Sequence, residues 1–182
     1  GQRHYYAFST NYLPEAAIQA SGNAQYEGWV GKGLLIKHEG DLVVHETIED
    51  QVEAWHHETK LKEFVYDPAR TGAIPQNVEQ KTGATIVAGS QHAKEFTPAM
   101  QEFEAAVLTG RMHHDGNELL RWALGNIMVK ANSFDLIKPI KEHKKTHKKN
   151  DPAVALIMAI GRATAVEVQS DDVLAGFFFA KG

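Results

Sequence analysis

The feature that most restricts how this 182-residue chain can fold is a pair of short apolar runs, Glu63–Tyr66 (EFVY) and Thr85–Ala88 (TIVA). Each is closed by a turn and followed by a helical pattern. Runs this short, rich in aromatic and β-branched residues, predict buried strands. Strands that alternate with helices predict an α/β domain with a largely covered sheet. In open α/β sheets the carboxyl ends of the strands hold the ligand sites, so the residue that ends EFVY, Asp67, is a first candidate.

The remaining pattern agrees with that class. His4–Asn11 (HYYAFSTN) reads as an aromatic strand that ends before Leu13-Pro14, and Pro14–Ala20 and Tyr26–Gly31 read as short helices. Leu34–Lys37 and Leu42–His45, around Glu39-Gly40-Asp41, predict a hairpin or two short strands. Glu46–Glu58 has helical spacing, Pro75–Lys81 predicts a helix closed at Gly83, and Thr97-Pro98 predicts a helix start that runs to Gly110. Asn117–Leu124 reads as a helix, Asn126–Ala131 with Leu136–Ile140 as a hairpin, and Asp151-Pro152 as the head of a last long helix. No repeat or linker divides the chain, so residues 1–182 are expected to form a single domain.

Composition excludes several classes. The longest apolar run, Ala153–Ile160, falls far short of the ~20 residues of a membrane span, so no membrane partner is expected. The amino terminus GQRHYYAFS has no basic region followed by a hydrophobic one, hence no signal peptide is expected. Zero cysteines exclude disulfides and thiolate metal sites and fit a cytosolic setting. The net charge of −4 argues against a basic coat over the whole surface. The charge is unevenly placed, however. Lys138, Lys141, Lys144, Lys145, Lys148 and Lys149 are crowded together with only Glu142 opposing them. Such a strip is either a solvated loop or a surface for phosphates.

Two carboxylates stand out. Pro68 disfavours helical geometry at Asp67 and holds that carboxylate at the strand end, where it could also simply form a turn. Asp151 precedes Pro152 and is a natural N-cap. Together, a strand-end carboxylate and a helix-start carboxylate can converge on a divalent metal, and oxygen ligands suit Mg²⁺ or Mn²⁺ rather than zinc. Histidines compete weakly for such a role. His56-His57 and His113-His114 are adjacent pairs more typical of surfaces, and His143 and His147 lie among lysines that repel a cation. A phosphate loop and a GxSxG elbow are both missing, Gly31-Lys32-Gly33 being too short.

Six collinear segments resemble the nuclease domain of tailed-phage large terminase subunits: YYAFSTNYLPE, YEGWVGKGLL, FVYDP, the run from Phe96 to Ala131, IKPIK and NDPAVALIMAIGRA. The resemblance implies an RNase H-like fold, with a mixed central sheet flanked by helices and an additional β-hairpin. It implies an Mg²⁺- or Mn²⁺-dependent endodeoxyribonuclease that cuts double-stranded viral DNA during genome packaging by two-metal phosphodiester hydrolysis. Asp67 and Asp151 match the family's catalytic, metal-binding carboxylates, and Lys138 and Lys141 lie in its Lys-Pro strand region. The implied partners are DNA, the terminase ATPase domain (absent from this chain), the small terminase subunit and the portal, in the cytoplasm of an infected or lysogenic bacterial host. Another RNase H-like nuclease of resolvase or transposase type, or a catalytically incomplete DNA-binding or portal-docking module, remain the alternatives.

The sequence departs from the family in two places. Pro152 stands where the family usually has glycine, and the family's first catalytic aspartate belongs to strands upstream of YYAFSTN. The tail Thr164–Gly182 carries Glu167, Asp171 and Asp172 ahead of an apolar run, so these are the candidates for a third ligand. An ordinary tail packed on the surface is the favoured expectation for this segment. The competing one is that the tail supplies the missing strands, with Gly182 taking the place just before Gln2 in a permuted order, or by exchange between subunits.

Overall fold

The structure is a computed structural model that describes residues 2–69, 71–142 and 148–165, together with the backbone of 172–180. It resolves into two compact units, Gly1–Val43 with His92–Gly182, and Val44–Gln91.

The larger unit is organised on β1 (His4–Pro14), an eleven-residue strand. Strand β8 (Asp172–Ala180) pairs with it in parallel from His4↔Asp172 to Tyr12↔Ala180. Two shorter strands, also parallel, share its other edge: β5 (Met112–His114) opposite Tyr5–Ala7, and β2 (Ile36–His38) opposite Tyr12–Pro14. Every described pair in this sheet is therefore parallel, where a mixed sheet was expected. The tail expectation is also corrected. Residues 177–179 pair with Ser9–Asn11 as part of the sheet, yet a tight link from Gly182 to Gln2 needs antiparallel neighbours. The parallel register instead puts Ala180 beside Tyr12, at the far end of β1 from Gln2.

Alternation along β1 divides its residues between two faces. Tyr5 and Ala7 pack with Ala106, Leu120, Leu156 and Ile160, while Leu13 packs with Ile18, Tyr26, Trp29, Leu35 and Leu119. Between these apolar clusters the same face carries Ser9 and Asn11. Asn117 Nδ2 reaches Ser9 Oγ at 3.1 Å and Asn11 Nδ2 reaches the Leu34 carbonyl at 3.1 Å, which satisfies polar atoms that would be costly to bury alone. Asn117 also caps α6 (Glu118–Gly125), its Oδ1 accepting from the Leu120 amide at 3.0 Å.

Helix α7 (Asp151–Ala165) is the main buttress of this sheet. Leu156 and Ile160 reach one cluster, and Ile157 packs with Phe96 and Ala99 of α5 (Ala93–Leu108). Burying side chains of this size contributes roughly 1.5–3 kcal/mol each. The two helices can approach closely because position 161 is glycine: a Cβ there would stand 3.0 Å from Ala99 Cβ. At the other end of α7 an Arg3 guanidinium nitrogen donates to the Ala163 carbonyl.

Two boundaries differ from expectation for identifiable reasons. Helix α5 begins at Ala93 rather than at Thr97-Pro98, because the Thr97 hydroxyl donates to the Ala93 carbonyl at 2.7 Å instead of capping. The same oxygen accepts from the Ile137 amide at 2.9 Å and so docks the hairpin of β6 (Met128–Ala131) and β7 (Ile137–Ile140) onto the helix. Of Leu34–Lys37 and Leu42–His45 only the first region gives a strand, β2, which pairs with β1 and not in a hairpin. The Gly40 carbonyl accepts from the Ala16 amide at 3.1 Å, at the start of α1 (Glu15–Ser21), and the chain proceeds into α3 (His45–Thr59).

In the smaller unit β3 (Glu63–Tyr66) and β4 (Thr85–Ala88) pair in parallel, from Glu63↔Thr85 to Tyr66↔Ala88. They form their own two-stranded sheet and, among the described pairs, join no other strand. Helices α3 and α4 (Ile74–Thr82) bury Ile48, Val52, Ile74 and Val78. Glu49 is buried as well, and accepts from Asn77 Nδ2 at 2.8 Å.

Candidate metal and DNA site

The two candidate carboxylates lie on different units. Asp67 follows the last residue of β3, and Pro68 keeps it extended. One carboxylate oxygen accepts from the Ala69 amide at 2.9 Å and the other from Gln91 Nε2 at 2.8 Å. The first bond is an Asx turn, so the turn-forming role expected for Asp67 is real. It leaves the carboxylate partly exposed and, among the described residues, held by neutral donors.

Asp151 is the first residue of α7 but does not cap it. The carbonyl of Asn150 accepts the first helical bond from the Val154 amide at 2.9 Å, which puts Asn150 in the capping position. Both Asp151 oxygens are engaged instead by Lys141 Nζ, at 2.7 and 2.9 Å. The surrounding backbone is firmly tied. Asn150, 1% exposed, donates from Nδ2 to the Ile140 carbonyl at 3.0 Å, and Asn126 Nδ2 donates to the Lys149 carbonyl at 2.9 Å. These bonds fix the end of β7 against the head of α7. Tyr26, on α2 (Gln25–Gly31), senses the same carboxylate: burial, with the negative charge of Asp151 added, pushes its phenol up to about 12.

The lysine strip is only partly a row of outward charges. Lys138 is exposed on β7 directly across from Lys130 of β6, an unfavourable like-charge pairing unless anions attend it. Lys141 is paired with Asp151, and Lys148 meets Glu142 at 2.7 Å. Lys149 is half-buried beside the Asn126 bond. Lys144, Lys145, His143 and His147 lie outside the described residues. So do Glu167 and Asp171. Asp172 is in register with His4, whose neighbour Arg3 meets Ala163 near the carboxyl end of α7. Asp151 heads that helix, and a rise of 1.5 Å per residue puts about 18 Å between the levels of 151 and 163. Asp172 and Asp151 thus belong to opposite ends of α7.

Hard oxygen donors at Asp67 and Asp151 fit Mg²⁺ or Mn²⁺, and the Asp151 carboxylate already attracts a cation in the form of the Lys141 ammonium. Among the described residues no three His, Asp or Glu side chains gather into one metal-holding group. Asn150, Gln91 and Tyr26 were not foreseen. Asn150 alone had a sequence signal, as the residue that opens Asn-Asp-Pro.

A family model described as the terminase large subunit, endonuclease domain, matches residues 1–167. The chain belongs to this family. As a terminase endonuclease domain it is 31% identical over 179 residues to protein YmfN of Escherichia coli (strain K12), a match that covers 92% of this chain and 38% of YmfN. The crystal structure of the HK97 bacteriophage large terminase shares its fold with a TM-score of 0.70 at 22% identity, over 83% of this chain and 32% of that one. The chain therefore spans well under half the length of these two proteins. The family match runs through both compact units, including Asp67 and Asp151.

Proposed function

We propose that this chain is an RNase H-like, divalent-metal-dependent endodeoxyribonuclease domain that cuts double-stranded viral DNA during packaging. Residues 1–182 act as one nuclease domain, with Asp67 and Asp151 as ligands for Mg²⁺ or Mn²⁺. When bound, a pair of such ions supplies an activated water and neutralises charge at the scissile phosphate. Asp67 contributes a carboxylate kept in place by an Asx turn, and Asp151 contributes one fixed at a helix head. Lys130 and Lys138 on the hairpin, with Lys144, Lys145, Lys148 and Lys149, meet the flanking phosphates of the duplex. The ATPase domain, small subunit and portal are the partners this role requires, in the cytoplasm of an infected or lysogenic bacterial host.

The observation that carries the reading is the availability of both carboxylates. Neither Asp67 nor Asp151 is consumed by a helix cap, and each lies at the end of an element within the family match. Supercoiled plasmid incubated with Mn²⁺ tests it directly. Cleavage should require the metal and fall by about 100-fold or more in both Asp67→Ala and Asp151→Ala. Full cleavage by either variant would refute the assignment, and DNA binding without any cutting would favour a docking module.

A further inference from the structure

The charge pairs of the larger unit are of two kinds. Arg111 lies 2.7 Å from Glu102 with its side chain 10% exposed, and the same guanidinium nitrogen donates to the Arg3 carbonyl at 2.8 Å. That pair is locked in place. Lys141 and Asp151 are 37% and 31% exposed, and among the described residues the ammonium meets only this carboxylate, bridging both oxygens. Exposed pairs of this kind are weak and easily exchanged.

The backbone beneath the pair is tied on both sides. Ile140, just before Lys141, is tied through its carbonyl to Asn150, just before Asp151. Asn150 is almost fully buried, and its Oδ1 has no hydrogen-bond partner among the described residues. The residue just before Asp151 thus carries an unsatisfied acceptor, and the Asp151 carboxylate is neutralised by a detachable cation. A carboxylate offers about four lone-pair sites, so an ammonium does not block all of them. Its charge, less than 3 Å from both oxygens, nevertheless opposes the approach of a divalent ion.

We propose that Lys141 is a displaceable counter-ion for Asp151. It neutralises the carboxylate until a divalent cation arrives, and its ammonium then passes to a phosphate of the bound duplex. Lys141 is on this account a positioning residue that links metal loading to DNA engagement. The inference rests on the reading of Asp151 as a metal ligand.

The test is titration of the whole chain with Mn²⁺ alone, free ion being followed by electron paramagnetic resonance. Lys141→Met should bind Mn²⁺ about twofold to fivefold more tightly than the parent, and Lys141→Arg should not. With duplex DNA, Lys141→Met should bind more weakly, with a salt slope reduced by about one. A Lys141→Met affinity for Mn²⁺ equal to or below that of the parent would overturn the counter-ion role, as an unchanged salt slope would overturn the transfer to phosphate. Asp151→Asn separates the two levels of the argument. Its loss of Mn²⁺ binding supports the underlying site, whereas parent-like binding would remove that site and the counter-ion role with it.

Discussion

Asp67 and Asp151 are both aspartates followed by proline, and the fold uses that dipeptide in two ways. After β3, proline keeps Asp67 extended, and the carboxylate takes two neutral donors, the Ala69 amide and Gln91 Nε2. At the head of α7, proline sits in the first helical turn, Asn150 takes the capping position, and Asp151 is left to a lysine. Among the described residues one carboxylate meets only neutral donors; the other is compensated by a side chain that can leave. Identity of sequence at two sites does not mean identity of electrostatics. The partners, Ala69 and Gln91 for one and Lys141 for the other, decide what each carboxylate can do next.

The contrast can be broken most strongly at its structural base. Asn150→Ala removes the bond that fixes the end of β7 to the head of α7. The expected loss is about 0.5–1.5 kcal/mol, measured as a lowered denaturant midpoint, together with weaker Mn²⁺ binding as Lys141 and Asp151 lose their alignment. A variant as stable as the parent would show that the staple is dispensable. A smaller effect is expected from making the two sites alike. Gln91→Lys places a cation beside Asp67 and should weaken Mn²⁺ binding by about twofold to fivefold, as read by the same titration. Unaltered binding would argue that Asp67 does not meet the metal.

The smallest effect concerns the locked pair that serves as the internal reference. Burial would push the Glu102 carboxyl up, but hydrogen bonds from Arg111 and Tyr5 outweigh it and hold the group below its ordinary value of 4.5. A carboxyl lowered on folding adds stability that is complete above its unfolded value and fades as pH falls through its folded value. Glu102→Gln should therefore be less stable than the parent at neutral pH, and the gap should narrow below about pH 4.5 in acid-unfolding curves. A gap independent of pH would mean that the pair contributes through packing alone.

Elements whose own residues determine them were legible in the sequence. β3, β4, α3, α4 and the β6–β7 hairpin follow from apolar period, turn residues and the glycine stop at Gly83, which indeed adopts φ +68°. What escaped was set by distant partners. Thr97 gave up its cap for Ile137, Gly40 gave its carbonyl to Ala16, and three-residue β5 exists only because Tyr5–Ala7 lies alongside it. The candidate site divides in the same way. Asp67 and Asp151 could be singled out from their neighbours in the chain, and the family resemblance gave them a role. The Lys141 pairing could not, since a lysine among lysines looks the same whether it faces a phosphate or a carboxylate. Charge density along a chain reports how many cations are present, and only the fold decides which anion each one meets.

The central proposal is that Asp67 and Asp151 are metal ligands. Crystals soaked in Mn²⁺ and measured for its anomalous scattering test it most directly. The account predicts density within about 2.2 Å of oxygens from both Asp67 and Asp151, with the Lys141 ammonium withdrawn from Asp151. Density touching only one of the two carboxylates, or neither, would contradict it.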